Sequence, residues 1–156
     1  MSGDRAVSVS RVIPAPADAI FAVLRDPAMH SVIDGSGTVK GQRSSELLVL
    51  GSKFSMNMRM GLPYVIGNTV VEYEQDRLIA WRHVGRHRWR YELEPVEAPD
   101  GSPTTRVTET FDWSTALVPQ AIELAGYPKK HPPAMELTLA RLERVVCPEE
   151  HPTPGH

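Results

Sequence analysis

The sequence of 156 residues contains one cysteine, Cys147, and no long apolar run. A single thiol cannot form an internal disulfide, and a membrane-spanning helix needs about 20 consecutive apolar residues. The first residues also lack the apolar core of a secretory signal. We therefore expect a cytoplasmic protein without disulfides and without stable membrane insertion. Cys147 stands beside a proline and near no histidine constellation, so we interpret it as structural rather than nucleophilic.

The chain has no excess of charge of either sign, because 17 Lys and Arg stand against 19 Asp and Glu. Nucleic acids and anionic membranes select basic surfaces, so the composition favours neither partner. One local exception is the arginine-rich run 82–90, which is interleaved with Trp81 and Trp89. Strand alternation places these arginines and tryptophans on opposite faces, and Glu72 and Glu92 can neutralise the basic face. We expect a solvated face there and no nucleic-acid site.

The N-terminal part of the chain changes from strand to helix within a few residues. Residues 7–13 alternate at period two, whereas Ala17, Ile20, Phe21 and Leu24 follow the spacing of one helix face. Asp26 and the proline after it predict the cap and first turn of a second short helix, with Met29, Val32 and Ile33 on its apolar side and a turn at 34–37. Period two then returns in residues 53–60, 69–74, 78–93 and 106–113. Short turns separate these strands, which predicts an antiparallel sheet with one apolar face.

The last third of the chain is helical again. Residues 114–126 predict a short helix or lid that Gly126 and Pro128 end, and Pro132 and Pro133 are expected to open a longer helix. The apolar stripe of the longer helix contains Met135, Leu139, Leu142 and Val146, with Glu143 among the residues outside it. An amphipathic helix must cover an apolar surface, and the apolar face of the sheet is the large one available. We therefore predict an α+β fold in which a curved antiparallel sheet wraps around a long C-terminal helix.

The hairpin within residues 79–93 has two candidate registers. A two-residue turn at residues 85–86 would place Arg82 on the same face as Trp89. A three-residue turn at residues 84–86 instead sets Trp81 opposite Trp89 and His83 opposite His87, and keeps the arginines on the other face. We predict the second register, since it preserves the alternation of the sequence.

The order of these elements resembles the helix-grip fold of the START-like, or SRPBCC, superfamily. The segments VIPAPADAIFAVLRDP, DGSGTVKG, GSKFSMNMRMG, LIAWRHVGRHRWRYELEP, TRVTETFDWS and AMELTLARLERVV are similar to its polyketide cyclase/dehydrase-like branch. The resemblance covers nearly the whole chain and implies one domain over residues 1–147, followed by a tail, residues 148–156, that we expect to be disordered. It also implies a hydrophobic cavity between sheet and helix, which in that branch binds lipids, polyketides or sterols and only sometimes transforms them. Fold alone does not decide between these functions.

The apolar face of the predicted sheet collects large side chains, although only 6% of the residues are aromatic. By pattern alone the face fills an ordinary core; the cavity implied by the resemblance favours a pocket instead. Methionine adapts to irregular ligands, and Trp or Tyr offers one hydrogen bond from an apolar wall. We therefore expect a small apolar molecule to contact Met56, Met58, Tyr73, Trp81, Trp89, Tyr91, Phe111, Trp113, Met135 and Leu139.

Three side chains are candidates for proton chemistry on the same face. His83 and His87 would titrate as a coupled pair near neutral pH, and Glu109 stands where the alternation predicts an apolar residue. Burial next to Tyr91 would raise the pKa of the Glu109 carboxyl or let it orient a neighbour. Histidines beside a hairpin turn are commonly solvated, however, and an inward glutamate is commonly a hydrogen-bond partner, so we assign no catalytic residue.

Other functional classes lack support in the sequence. Zinc needs three or four convergent ligands, and no spacing in the chain matches such a motif, so we expect neither a metal nor a cofactor. Asp34 precedes a glycine, and we interpret it as a turn residue rather than a ligand contact. Three functions remain: a binder of apolar ligands, which we favour, a cofactor-independent polyketide cyclase or dehydratase, and a protein-interaction module with a filled core. The sequence specifies no oligomeric state.

Overall fold

The computed structural model describes residues 5–36, 39–42, 46–60, 62–83 and 85–148. Within these ranges, seven antiparallel strands form one curved sheet in the order β1-β7-β6-β5-β4-β3-β2, and a long helix follows the last strand. The predicted α+β helix-grip fold is thereby confirmed. In chain order the elements are β1 (Ala6–Ile13), α1 (Ala17–Leu24), α2 (Pro27–Ile33), β2 (Val39–Gln42), β3 (Lys53–Met60), β4 (Leu62–Glu74), β5 (Leu78–Arg82), β6 (Arg88–Glu97), β7 (Pro103–Asp112), α3 (Pro119–Leu124) and α4 (Tyr127–Val146).

The two short helices connect opposite edges of the sheet. β1 is one edge strand and β2 is the other, so the chain crosses the width of the sheet through α1 and α2. As predicted, α1 begins at Ala17, and Asp26 caps α2 by accepting a hydrogen bond from the backbone N–H of Ala28 at 3.0 Å. The crossing buries Phe21 and Leu24 of α1 in the core. The sheet, α1 and α4 therefore share one hydrophobic core.

Helix α4 packs its apolar stripe against this core. Met135, Leu139 and Leu142 are almost completely buried, in agreement with the sequence prediction. Glu143 was predicted to face solvent and is instead buried. Its carboxylate accepts a hydrogen bond from Nε of Arg11 on β1 at 3.0 Å, which provides a partner for the buried charge. This ion pair fastens the helix to an edge strand of the sheet.

The predicted start of the long helix was wrong. Pro132 and Pro133 lie inside α4, which begins at Tyr127, and Pro128 occupies its first turn. Gly126 separates α3 from α4 in the left-handed conformation with a φ of 81°. Proline lacks a backbone N–H, so the two internal prolines cannot donate helical hydrogen bonds. The turn of helix before them is therefore held by other contacts, described below.

A bulge in β4 corrects the predicted inner face of that strand. The alternation placed Val71 inward, whereas the register changes between Val70 and Glu72. Val70 is consequently buried opposite Trp81, and Tyr73 lies on the same face opposite Ile79. β4 also begins at Leu62 rather than near residue 69, and the short strand β2 was not predicted.

The β5–β6 hairpin has the predicted register. Trp81 stands opposite Trp89, and the backbone N–H of His83 donates to the carbonyl of His87 at 3.3 Å. Val84 of the turn, Gly37 of the predicted 34–37 turn and residues 149–156 of the predicted tail lie outside the described residues. On the outer face, Glu72 accepts hydrogen bonds from Arg88 at 3.2 Å and from Arg90 at 2.8 Å. Arg88 and Arg90 of the arginine run are thus engaged in ion pairs on the side of the sheet away from the tryptophans.

Candidate ligand-binding site

The residues predicted to contact a ligand form two neighbouring clusters, which combine side chains of the inner face of the sheet with two side chains of α4. Trp89 touches both clusters and is only partly buried. The larger cluster contains Met56, Met58, Tyr73, Trp81, Tyr91 and Leu139, and the smaller one contains Phe111, Trp113 and Met135. We refer to these ten residues as the inner wall.

The larger cluster includes a histidine that sequence reasoning missed. The ring of His30 stacks on Trp81 with 4.8 Å between centroids, and its Nε2 lies 3.0 Å from the carbonyl oxygen of Leu24. Burial lowers the pKa of His30 below its usual 6.5. The predicted apolar side of α2 was displaced by one residue, since Val32 is exposed and His30 is inside. A helical stripe through residues 27, 30 and 33 was the signal that would have found it.

Glu109 lies on the inner face of β7, next to the edge strand β1, and the alternation predicted this inward position. It stands between Val9 of β1 and Tyr91 of β6 and is only 3% exposed. Burial raises the pKa of its carboxyl to about 8, the negative charge of Asp34 adds to the rise, and a hydrogen bond with Tyr91 opposes it. The Oε1 atom of Glu109 is buried without a hydrogen-bond partner among the described residues. The side chain is therefore protonated at neutral pH and has unused hydrogen-bonding capacity.

Tyr91 responds to the same surroundings. Its pKa is raised well above 10, first by burial and then by the neighbouring Glu109. The phenol consequently keeps its proton throughout the physiological range. Tyr91 and Glu109 thus form a buried, uncharged polar pair within an apolar wall.

The negative charge of Asp34, in the turn after α2, acts on this pair. Its Oδ1 accepts hydrogen bonds from the backbone and side chain of Ser36, which confirms the predicted turn role. The same turn is held against α4, since the N–H of Gly35 donates to Oγ1 of Thr138 at 2.8 Å and Arg141 donates to the carbonyl of Asp34. This contact places a negative charge near the inner polar pair.

Three histidines gather at the β5–β6 turn. His83 and His87 have ring centroids 4.7 Å apart, and His131 of α4 lies 4.5 Å from the ring of Phe111, which His87 also contacts. Burial lowers the pKa of His83 to about 3 and that of His131 to about 4, and it lowers the pKa of His87. No local pattern in the sequence indicates that α4 brings His131 to this turn. Among the described residues, no group of His, Cys, Asp and Glu side chains is arranged to hold a metal ion.

The structure separates the candidate catalytic residues. Glu109 pairs with Tyr91 of β6, and His87 precedes Tyr91 by four residues in the chain. At about 3.3 Å per strand residue, the backbone positions of Glu109 and of the histidine pair are roughly 13 Å apart along the sheet. Direct proton transfer requires contact within hydrogen-bonding range, so Glu109 and the histidines do not form one acid–base unit.

The apolar inner face continues to solvent at this end of the sheet. β5 stops at Arg82, opposite Thr69, so the first half of β4 projects beyond it and pairs only with β3. On this extension Tyr64 stands opposite Met58, and Leu62 is 80% exposed. The loop before α3 lies at the same end, since the N–H of Leu117 donates to the carbonyl of Gly85 in the β5–β6 turn. Leu117 and Val118 of this loop and Leu124 of α3 are further exposed apolar side chains.

Comparisons with known proteins agree with this architecture. A protein from Nitrosomonas europaea, NE0264, has a crystal structure that superposes with a TM-score of 0.70 at 15% identity, covering 96% of this chain and 99% of that one. An AHSA1-like protein from Aeromonas hydrophila superposes with a TM-score of 0.60 at 20% identity, covering 97% and 99% of the two chains. At these identities the likeness concerns the fold. In the described part of the chain, no helix combines the length and apolar character needed to cross a membrane.

Sequence comparison identifies the family. Rv0088 of Mycobacterium tuberculosis is 42% identical over 148 residues, which cover 90% of this chain and 64% of that protein. The chain thus spans less than two thirds of the length of this curated relative. The model of the family described as polyketide cyclase/dehydrase and lipid transport matches residues 4–146. With nearly the whole fold inside that match, the chain belongs to the polyketide cyclase/dehydrase and lipid transport family.

Proposed function

We propose that this protein binds a small or medium apolar ligand, such as a lipid or a polyketide, between its sheet and α4, in contact with residues of the inner wall. The observation that carries the proposal is the continuity of one apolar face from the core to solvent. Phe54 and Met56 are buried, Met58 is partly exposed, and Leu62 farther along the same face is almost fully exposed. Contiguous apolar surface that runs from an interior to solvent is typical of ligand sites.

The chemistry of the inner wall supports the same function. It combines methionines, which adapt to irregular shapes, with Trp and Tyr rings that carry one polar atom each. Membership of a family that includes lipid transport is consistent with a ligand of this class. On the opposite side of the sheet the arginines are bound to carboxylates, so the two faces have different chemistry.

The test compares two adjacent residues of β6. Trp89 belongs to the inner wall, whereas Arg88 belongs to the outer face. We expect Trp89→Leu to weaken uptake of the neutral fluorescent probe N-phenyl-1-naphthylamine by about tenfold, because one wall of the site loses its ring. Arg88→Ala should leave the affinity within twofold of the original protein.

Native mass spectrometry of the same samples provides an independent measurement. A ligand retained during purification appears as extra mass that is lost on denaturation. Absence of retained mass together with absence of probe uptake would contradict the proposal and favour the interaction module with a filled core. Equal losses in both variants, with unchanged melting temperatures, would contradict the assignment of the inner wall.

A cofactor-independent cyclase or dehydratase is the second candidate, and the Tyr91–Glu109 pair is the observation that favours it. A carboxyl with a pKa of about 8 can exchange a proton at neutral pH, as a general acid or base must. Glu109 would then act without the distant histidines. Turnover of a polyketide-like substrate that is lost in Glu109→Gln while binding is kept would establish this function in place of simple binding.

A further inference from the structure

Glu109 is a buried polar side chain of the inner face with an incomplete set of hydrogen-bond partners. The side chain is 3% exposed, and Oε1 has no hydrogen-bond partner among the described residues. Buried polar atoms without a partner are uncommon in folded proteins, because leaving such an atom unsatisfied costs free energy. A fold built only for stability would place an apolar residue here, as Val107 and Phe111 do two positions away on the same strand.

We infer that Glu109, with Tyr91 beside it, is the anchor for a neutral carbonyl or hydroxyl oxygen of the apolar ligand. This inference rests on the proposed function and specifies the chemistry of the ligand. A protonated carboxyl donates one hydrogen bond and accepts others, so it can pair with a ketone, an ester or an alcohol. Val9 on the other side of Glu109 offers no competing polar group.

The surroundings select against an anionic ligand group. The charge of Asp34 acts on both Glu109 and Tyr91, so the local field disfavours a second negative charge. Arg11, an inward cation on the neighbouring strand, donates to the buried Glu143 at 3.0 Å. A carboxylate brought to Glu109 would therefore be buried close to Asp34, at a high cost in free energy.

The test uses three probes that share one naphthalene ring and nearly the same size. The ketone 2-acetylnaphthalene has a carbonyl where 2-ethylnaphthalene has a methylene, and 2-naphthoate has a carboxylate. Each is titrated against bound N-phenyl-1-naphthylamine at pH 6.5. We expect Glu109→Leu to weaken the ketone by at least about tenfold and to leave ethylnaphthalene within twofold, and the original protein to bind naphthoate more weakly than the ketone.

Two controls separate recognition from a structural effect. Glu94→Leu changes an exposed carboxylate on the neighbouring strand β6, and it should alter none of the three affinities. The affinity of the original protein for the ketone should also fall as the pH rises through about 8, where Glu109 ionises, and Glu109→Gln should bind the ketone without this pH dependence. Circular dichroism checks that each variant keeps its fold.

The outcomes distinguish the inference from the proposed function. Equal losses of ketone and ethylnaphthalene in Glu109→Leu, or no pH effect on ketone binding, would overturn the anchor while leaving the apolar site in place. Failure of the original protein to bind either neutral naphthalene or the fluorescent probe would overturn the proposed function and the anchor together.

Discussion

The burial of Glu109 predicts that its contribution to the stability of the protein falls as the pH rises from 6.5 to 8. The pKa of its carboxyl is about 8 in the folded protein, against an ordinary value of 4.5. Between these two values the folded state holds a proton that the unfolded state has released. The stabilisation from this proton is complete below pH 4.5 and is lost as the pH rises through the folded pKa of about 8.

The magnitude follows from the linkage between protonation and folding. Each unit of pKa difference corresponds to about 1.4 kcal/mol, and the unfolded carboxylate is already ionised throughout the window from pH 6.5 to 8. Integration over this window, with gradual loss of the proton near pH 8, gives a decrease of between about 1 and 2 kcal/mol in the contribution of Glu109 to the free energy of unfolding. Glu109→Gln should remove the decrease, because glutamine remains neutral at every pH.

The buried histidines act in the opposite direction. Burial depresses the pKa values of His30, His83, His87 and His131 below 6.5 in the folded protein. These positions of the unfolded chain are still half protonated at pH 6.5, so their contribution to stability increases with pH and levels off about one pH unit above 6.5. The histidines are the same in the original protein and in Glu109→Gln, so the difference between the two proteins isolates the effect of Glu109.

Urea unfolding followed by tryptophan fluorescence at four pH values between 6.5 and 8 measures this effect. The control is Glu94→Gln, which changes an exposed carboxylate of the neighbouring strand β6 and should follow the original protein. Parallel curves for the original protein and Glu109→Gln would refute the reasoning, since they would mean that the carboxyl is already ionised in the folded state at pH 6.5.

Three further predictions test other parts of the structure. Leu139→Ala should lower the free energy of unfolding by roughly 2–4 kcal/mol, and an unchanged urea midpoint would remove α4 from the core. Gly35→Ala should cost about 1–3 kcal/mol, because its Cβ would lie 2.1 Å from a backbone oxygen of α4, whereas Gly67→Ala, with open space around it, should show no such clash in the same melts. The double variant His83→Gln with His87→Gln should bind N-phenyl-1-naphthylamine within about tenfold of the original affinity, and a larger loss would place these rings against the ligand.

The parts of the fold that sequence reasoning predicted are those in which local pattern and packing agree. The register of the β5–β6 hairpin followed from keeping Trp81 and Trp89 away from Arg88 and Arg90, and each set has its own partners in the structure. The inward position of Glu109 followed from strict alternation in β7, a strand without a bulge. Alternation is a reliable guide while the period of two is uninterrupted.

The errors occur where tertiary contacts override the local pattern. The bulge at Val71 changes which residues of β4 point inward, and no glycine or proline at this position indicates it in the sequence. Pro132 and Pro133 predict a helix start, but the helix begins one turn earlier, where His131 stacks on Tyr127 and contacts Trp89. Such contacts join residues more than 40 positions apart or depend on a neighbouring element, and single-sequence periodicity does not contain them.

Burial raises the pKa of Glu109 and lowers the pKa values of the buried histidines, and both kinds of group are neutral as a result. Desolvation favours the protonated, neutral form of Glu109 and the deprotonated, neutral form of the histidines. Between pH 6.5 and about 8, these groups are largely uncharged, while the nearby Asp34 contributes a negative potential to the pair of Glu109 and Tyr91. A ligand that carries its own charge would bring it into an interior with no free counter-charge among these groups. A neutral ligand with a single oxygen avoids that cost and gains a partner at Glu109, so the electrostatics of the interior and the chemistry of the inner wall favour the same class of molecule.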